Sequence, residues 1–393
     1  LEERRKDLGA DQRRVETLQA SLKNAIDRAD TYVEPNAYPR IIEENGGVGL
    51  NAGTGLESTN YYYNFPANRL ELWFLLESQR FLQPVYREFY KERDVVREER
   101  RMRVESNPQG KLMEMLLSVA FAAHPYRQMP GGWGSDIENL RVDEAEKFFR
   151  TYYVPGNMTI GIAGDVSASE VRRLADQYFS SLPARPLPPL ITTVEPKQDG
   201  PRRAEVESQS QPLMFIGYKR PDQYDKDDAV FDVITTVLAS GRTGVLHKEM
   251  VRDRKLSLAA VSGATFPGGK YPNLFIFLLV PSPGKTVEEN EKAFYEILEK
   301  FRNERIDDAT LARVKTKARA GLIRQLDSNS GLASMMTTAH VAYGNWREVF
   351  TALEKLDKVT AADVQRVAHQ YFVPSQRTVA VTTAAAKQSG GAN

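Results

Sequence analysis

No cysteine occurs among the 393 residues. That absence excludes a disulfide framework, a thiol nucleophile and every cysteine-based metal site. It fits both an extracytoplasmic protein that avoids stray oxidation and a cytosolic one. Histidine is scarce, with only His124, His247, His340 and His369. No apolar run approaches the ~18 residues that a membrane span requires. Neither sign of charge dominates: 53 Lys+Arg stand against 52 Asp+Glu. Nothing in that balance pulls towards nucleic acid or an anionic membrane as partner. No glycine-rich phosphate loop, serine nucleophile elbow or dinucleotide fingerprint is found. The start offers neither a signal peptide nor an initiator Met, so Leu1 reads as an internal position with any targeting segment ahead of it.

What is present describes a globular protein, with 41% hydrophobic residues, 27% charged residues and 26 glycines. A chain of this length exceeds one ordinary core, so two domains are the starting expectation. Residues 1–30 are charge-rich with a thin apolar face (Leu8, Val15, Leu18, Leu22, Ile26) and read as an exposed helix or helical hairpin. Two strand-like runs follow at 48–54 and 59–65, the second rich in tyrosine. Helices are expected over 69–81, from Glu92 to the Asn107-Pro108 turn, over 111–123, 143–153 and 169–182, and a buried strand over 158–163. Six prolines between Pro183 and Pro201 mark a linker. Beyond it come strands at 204–207 and 213–217 and helices at 227–238 and 244–251. Strands at 257–264 and 273–280 follow, then three further helices, a strand at 378–382 and a small polar tail from 384 that reads as disordered.

The run ERDVVREERRMRVESN over 92–107 carries the chemistry most open to interpretation. Glu92 and Glu99 are seven residues apart, two helical turns, so both carboxylates leave one face. Val95, Val96 and Met102 are placed to anchor the other side. Paired carboxylates on one face suit a divalent cation or proton transfer. A solvated helix laced with Glu/Arg pairs satisfies the same pattern. His124, before Pro125-Tyr126, reads as a loop-fixing residue, and Trp73 and Trp133 as core or loop anchors.

An internal repeat organises the whole chain. Tyr152-Tyr153-Val154-Pro155 recurs as Tyr371-Phe372-Val373-Pro374, 219 residues on, each copy between an apolar helix and a β-rich run. The paired strands 48–65 correspond to 257–280, each pair followed by a long helix. A period this long means a duplicated domain. Strands beside helices without βαβ alternation point to an α+β class, two homologous domains each with an antiparallel-rich sheet packed by helices. The expected division is 1–182, a linker at 183–203, 204–383 and the tail. The second half has a strand, helix and turn over about 204–240 where the first has only its charged helix. The first domain's opening strand and helix are therefore expected to lie upstream.

The stretches GGVGLNAGTGLESTNYYYNFP, ERDVVREERRMRVESNP, HPY with the later DIENL, and FFRTYYVPGNMTIGIAGDV together resemble the pitrilysin-like zinc peptidases. The resemblance implies two homologous α+β domains closing like a clam on an extended peptide, and one Zn2+ held by two histidines of an H-x-x-E-H helix and a downstream glutamate. The glutamate of that motif would activate the metal-bound water. On the matching residues Glu99 is the metal ligand and Glu92 the supporting carboxylate. Asn51 and Ala52 line the edge strand on which substrate is laid, and Arg252 is the substrate or oxyanion contact. This sequence departs from the pattern in having no H-x-x-E-H, so the chain as given cannot complete the zinc site and is expected to be inactive alone. Where relatives place a Tyr near Arg252, Leu258 stands here. Either the Tyr comes from another subunit in a heterodimer, or the correspondence slips by a residue or two.

Two functions remain in view from the sequence: a zinc endopeptidase cleaving extended peptides or unfolded segments, and a non-catalytic peptide-binding or partner subunit. The expected partners are peptide and a second peptidase-like subunit, as homo- or heterodimer, without nucleic acid or a membrane span. A charged insertion ahead of the N-A-x-T strand, frequent in exported bacterial relatives, leans the expected location to the periplasm over the cytoplasm.

Overall fold

The computed structural model describes Gly9 and residues 11–384, which form two compact units. Unit 1 holds residues up to Gly53, Asn60–Arg101 and Gly131–Leu190; unit 2 holds Thr54–Thr59, Met102–Pro130 and Ile191 onwards. Strands and helices lie side by side in an α+β arrangement. The expected tail lies, beyond Ala384, outside the described residues.

The first helix among the described residues of unit 1 is α1 (Gln12–Asp30), whose N-cap Asp11 accepts from the Arg13 N–H; residues 1–8 of the helix or hairpin expected over 1–30, Leu8 included, lie outside the described residues. Only Val15 of this helix is buried, as its thin apolar face implies. Helix α2 (Ala37–Glu44) leads into the hairpin β1 (Val48–Thr54) and β2 (Thr59–Asn64), a two-stranded sheet with mostly exposed residues. Next come α3 (Leu70–Leu82) and α4 (Phe89–Arg100). The polypeptide then passes through unit 2 and returns for α6 (Gly134–Glu138), α7 (Val142–Tyr152) and α8 (Ala168–Phe179). The buried apolar residues of this unit, among them Ile42, Phe74, Ile137, Val154 and Leu174, are scattered rather than gathered on one sheet. Residues 158–163, expected as a buried strand, join no ladder among the described residues, and Ile160 is exposed. An apolar, β-rich run becomes a strand only when a neighbour takes its backbone groups, and no described residue does so.

Unit 2 receives α5 (Pro108–Ala120), with Pro108 at its first position and the Asn107 side chain accepting from the Gln109 and Gly110 N–H groups. Its sheet runs in the order β3 (Arg202–Ser208), β7 (Arg377–Ala384), β4 (Met214–Arg220), β6 (Asn273–Pro281), β5 (Ser257–Phe266). β7 is parallel to β3, and the other pairings are antiparallel. Both faces are covered, and the two-residue period of the strands divides the side chains accordingly. Met214, Ile216, Tyr218, Phe275, Phe277, Val379 and Val381 meet one core, which α9 (Asp228–Ala239) and α10 (Val287–Asn303) complete. Phe215, Leu274, Ile276 and Ala380 meet the other, under Leu112, Leu116 and Leu117 of α5.

Five helices follow β6 where three were expected: α10, α11 (Asp308–Leu326), α12 (Asn329–Tyr343), α13 (Glu348–Lys358) and α14 (Ala361–Tyr371). The extra breaks have local causes. Asp307 and Ser328 cap helix starts through the Thr310 and Gly331 N–H groups, and Gly344 ends α12 at φ 69°.

Candidate functional site

Helix α4 carries the paired carboxylates. Glu92, in its first turn, is exposed and Glu99 half-buried, and the seven-residue spacing sets them on one face. The anchoring differs from expectation: Val95, Val96 and Met102 are exposed. The helix is held instead by its arginines. Arg97 Nε lies 2.8 Å from Glu138 Oε1 on α6, and Arg93 donates to the Leu140 carbonyl at 3.4 Å. Arg100 is buried, donates to the Gly132 carbonyl and lies over the Trp133 ring with its guanidinium carbon 5.4 Å from the centroid. Positions 93, 97 and 100 form one stripe at helical spacing, whose methylene stems pack while the charged heads find oxygen partners. Glu98 and Arg101 form the expected i, i+3 pair at 2.5 Å.

Immediately after Glu99 the helix widens into a π-helical turn, Arg101–Glu105. Such turns occur mostly as single bulges in α-helices, often at functional sites. Nothing in the sequence announced it. On the unit 2 side of this turn, Gly110 lies so close to the Arg103 carbonyl that a Cβ would approach its oxygen to 2.0 Å. Glycine is the residue that this approach permits.

The hairpin with Asn51 and Ala52 is positioned from below by a buried carboxylate. Glu77 of α3 accepts from Tyr63 of β2 at 2.9 Å, from Tyr38 of α2, and from Arg80 at 2.8 Å. Burial and the Glu77 charge push the Tyr38 hydroxyl up to about 12. Arg80 also lies over the Tyr61 ring at 4.6 Å, and Tyr61 shares a 2.6 Å hydrogen bond with Tyr153. Asn51 and Ala52 themselves are exposed on β1, where the Asn51 side chain accepts from the Ala52 N–H at 2.7 Å. Among the described residues β1 pairs with β2 alone, so its other edge keeps unpaired backbone groups.

Arg252 belongs to unit 2, in a second π-helical turn, His247–Asp253. It is exposed, and its guanidinium grips the Asp253 carboxylate at 2.6 and 2.9 Å. Leu258 is exposed on β5.

His124 is buried. Its Nδ1 accepts from the Tyr126 N–H at 3.2 Å, the loop-fixing role that its place before Pro125 implied. The partner that sequence reasoning missed is Glu195. It lies within the proline-rich linker, yet accepts from the Ala122, Ala123 and His124 N–H groups at 2.8–3.0 Å. Three backbone donors outweigh its burial and hold its pKa low. A single acid between prolines carries no periodicity that could have revealed it.

The donor set decides what these residues can hold. No group of three His, Asp or Glu side chains among the described residues is arranged to hold a metal ion. Glu99 offers one carboxylate, and His124 is committed to its loop. The residues present do not fit a site with two histidines and a glutamate.

Comparison with known proteins fixes the lineage. Residues 139–318 match the family described as the peptidase M16 inactive domain. The chain is 30% identical over 350 residues to the zinc protease PqqE of Helicobacter pylori, covering 87% of this chain and 77% of that protein. The chain belongs to the pitrilysin-like M16 peptidases. It is also 22% identical to a probable mitochondrial-processing peptidase subunit beta of Arabidopsis thaliana, over 86% of this chain and 65% of that protein. The crystal structure of a protease from Helicobacter pylori superposes with a TM-score of 0.83 at 28% identity, covering 90% of this chain and 86% of that one. The M16 resemblance of the four sequence stretches and the α+β class are thereby established.

Proposed function

We propose that this chain is the larger, substrate-holding part of a zinc-dependent endopeptidase that acts on extended peptides or unfolded segments. In this reading two histidines and the general base are supplied by residues outside this sequence, and the chain by itself is inactive. The observation that carries it is the construction of α4: Glu99 and Glu92 share one face of a helix that its arginines fix to neighbouring backbone and carboxylate groups. Glu99 offers a metal a single ligand, and Glu92 a supporting carboxylate. The open edge of β1 at Asn51 and Ala52 offers backbone groups to a peptide laid beside it. Arg252 serves as a substrate contact by exchanging the Asp253 carboxylate for one of the substrate's acceptors.

Metal content and cleavage of an unfolded protein test this directly. The chain alone is expected to carry no stoichiometric zinc and to cleave nothing. Its complete reading frame is expected to carry about one zinc and to cleave, and Glu99→Gln there to lose both. Stoichiometric zinc on the chain alone, or unchanged zinc in Glu99→Gln, would contradict the assignment.

A second reading has specific support. The match to a domain described as inactive, and the likeness to a protein named as a subunit, favour a non-catalytic partner in a two-subunit peptidase. A complete reading frame without H-x-x-E-H, recovered from native purification with a second M16 subunit, is the outcome that selects it.

A further inference from the structure

The hairpin that carries the open edge of β1 turns over residues 55–58. The Gly55 N–H closes the turn on the Ser58 carbonyl at 2.9 Å, and the Thr54 and Thr59 hydroxyls lie 3.3 Å apart. A loop tip of small polar residues is ordinarily the loosest part of a hairpin. This one is tied down. Thr54–Thr59 groups with unit 2, and there Glu57 accepts from the Lys270 N–H at 2.7 Å, from the Gly269 N–H at 3.2 Å and from the Tyr126 hydroxyl. Leu56 beside it packs against the core that Leu112, Leu116 and Leu117 share.

The three donors are themselves fixed. Tyr126 is buried, and its hydroxyl oxygen takes the Tyr271 N–H at 3.3 Å. Burial and the Glu57 carboxylate raise its pKa, which keeps the hydroxyl protonated as a donor. Its backbone N–H is the one that His124 accepts. The loop between β5 and β6 is tied in turn by the Gln223 N–H, 2.8 Å from the Gly269 carbonyl. Gly268 makes room for the carboxylate, since a Cβ there would come within 2.6 Å of Glu57 Oε1 and 2.7 Å of the Tyr126 oxygen. Hydrogen bonds to an ionised acceptor are the stronger kind, and two of these come from backbone that cannot swing away. Glu77 thus supports the strands of the hairpin, while Glu57 holds its turn.

We propose that Glu57 is a positioning residue for peptide binding: it pins the β1–β2 turn to Tyr126 and the 267–271 loop, and so keeps the edge of β1 in the extended form that a peptide pairs with. This rests on the reading of β1 as the edge that receives peptide. Adding a strand to a preformed edge avoids ordering that edge at the moment of binding. An edge that is extended only part of the time binds more weakly in proportion to that fraction. Glu57 acts through the hairpin, and its effect is on affinity.

Anisotropy of a labelled unfolded peptide with residues 1–393, beside amide exchange at 48–54, tests the proposal. Glu57→Ala is expected to weaken binding about tenfold and to speed exchange at 48–54 by a similar factor, with 377–384 unchanged. Glu57→Gln keeps an acceptor for the two backbone donors and should recover most of that affinity. Tyr126→Phe should weaken binding about threefold, and the double variant should bind no worse than Glu57→Ala alone, because the two side chains act through one contact. Gly268→Ala sets a methyl against the carboxylate and should reproduce the Glu57→Ala loss, which keeps the test available if Glu57→Ala does not fold. Wild-type affinity in Glu57→Ala or Gly268→Ala, where Ala52→Pro does weaken binding, overturns the proposal alone and leaves the edge reading standing. A loss in Glu57→Gln as large as in Glu57→Ala overturns it too, since the acceptor geometry is kept. So does faster exchange at 377–384 in both Glu57→Ala and Gly268→Ala, which would mark a general loosening of unit 2. Undiminished binding in Ala52→Pro overturns the edge reading, and the proposal with it.

Discussion

Lys219 is a lysine placed where water barely reaches it. Its ammonium lies 3.6 Å from the centre of the Phe121 ring and 3.4 Å from Glu195 Oε1, and burial pulls its pKa down to about 8 from 10.5. Between those two values the unfolded chain holds a proton that the folded one has released, so stability rises with pH across about 8 to 10.5. Below the window, burial of the charge costs at most on the order of 3 kcal/mol. Lys219→Met keeps the contact with Phe121 and leaves Glu195 its three backbone donors. We expect it to be at least as stable as wild type near pH 7 in urea unfolding, with the alkaline rise flattened. An identical pH slope in both proteins would sink this account. Glu77 is the opposite case, an acid whose partners converge on it. Glu77→Ala strands Arg80 and two tyrosine hydroxyls, and should cost about 3 kcal/mol. The loss should be confined to unit 1, read as faster amide exchange at 59–64 with 377–384 unmoved. Residue chemistry of this kind was only half legible. Glu92 and Glu99 could be paired from spacing, whereas Glu195 and Glu77 took their roles from residues 71–73 and 14–39 positions away.

At the scale of elements, local sequence was a good guide where a pattern repeats and a poor one where a partner decides. The strands 257–266 and 273–281 and the helices around 70–82 and 142–152 follow from alternation and helical periodicity. The three helices expected after β6 proved to be five because single capping residues, not the apolar pattern, divide them. Gly344 makes one of those divisions, and Gly344→Ala should cost about 1 kcal/mol in thermal unfolding, since an alanine resists φ 69°. An unchanged melting temperature would show that the α12 end relaxes freely. Strand 158–163 failed in the other direction: its residues favour a strand, but backbone pairing is not a property of one segment. The edge of β1 gives a functional prediction at this scale. Ala52→Pro removes one backbone donor and stiffens the strand, and is expected to weaken peptide binding at least tenfold while leaving the melt of unit 2 in place. Undiminished binding, measured by fluorescence anisotropy of a labelled unfolded peptide, would remove the edge from the reading.

For the whole molecule, the two units carry unequal cores. Unit 2 buries both faces of a five-stranded sheet, while unit 1 exposes Phe148, Ile160 and Val95. Calorimetry of residues 1–393 should therefore show unit 1 melting first, with a separate, hotter transition for unit 2. A single cooperative transition would mean that the units stabilise one another. The amino-acid sequence by itself determined the internal repeat, the α+β class and the M16 lineage. Those rest on residue types and spacing, which survive without coordinates. The tertiary structure decided how α4 is held, which acids anchor the loop at His124 and the hairpin, and where unit 1 is left uncovered. Those depend on contacts between distant residues, and no local pattern encodes which side chain a buried carboxylate will meet.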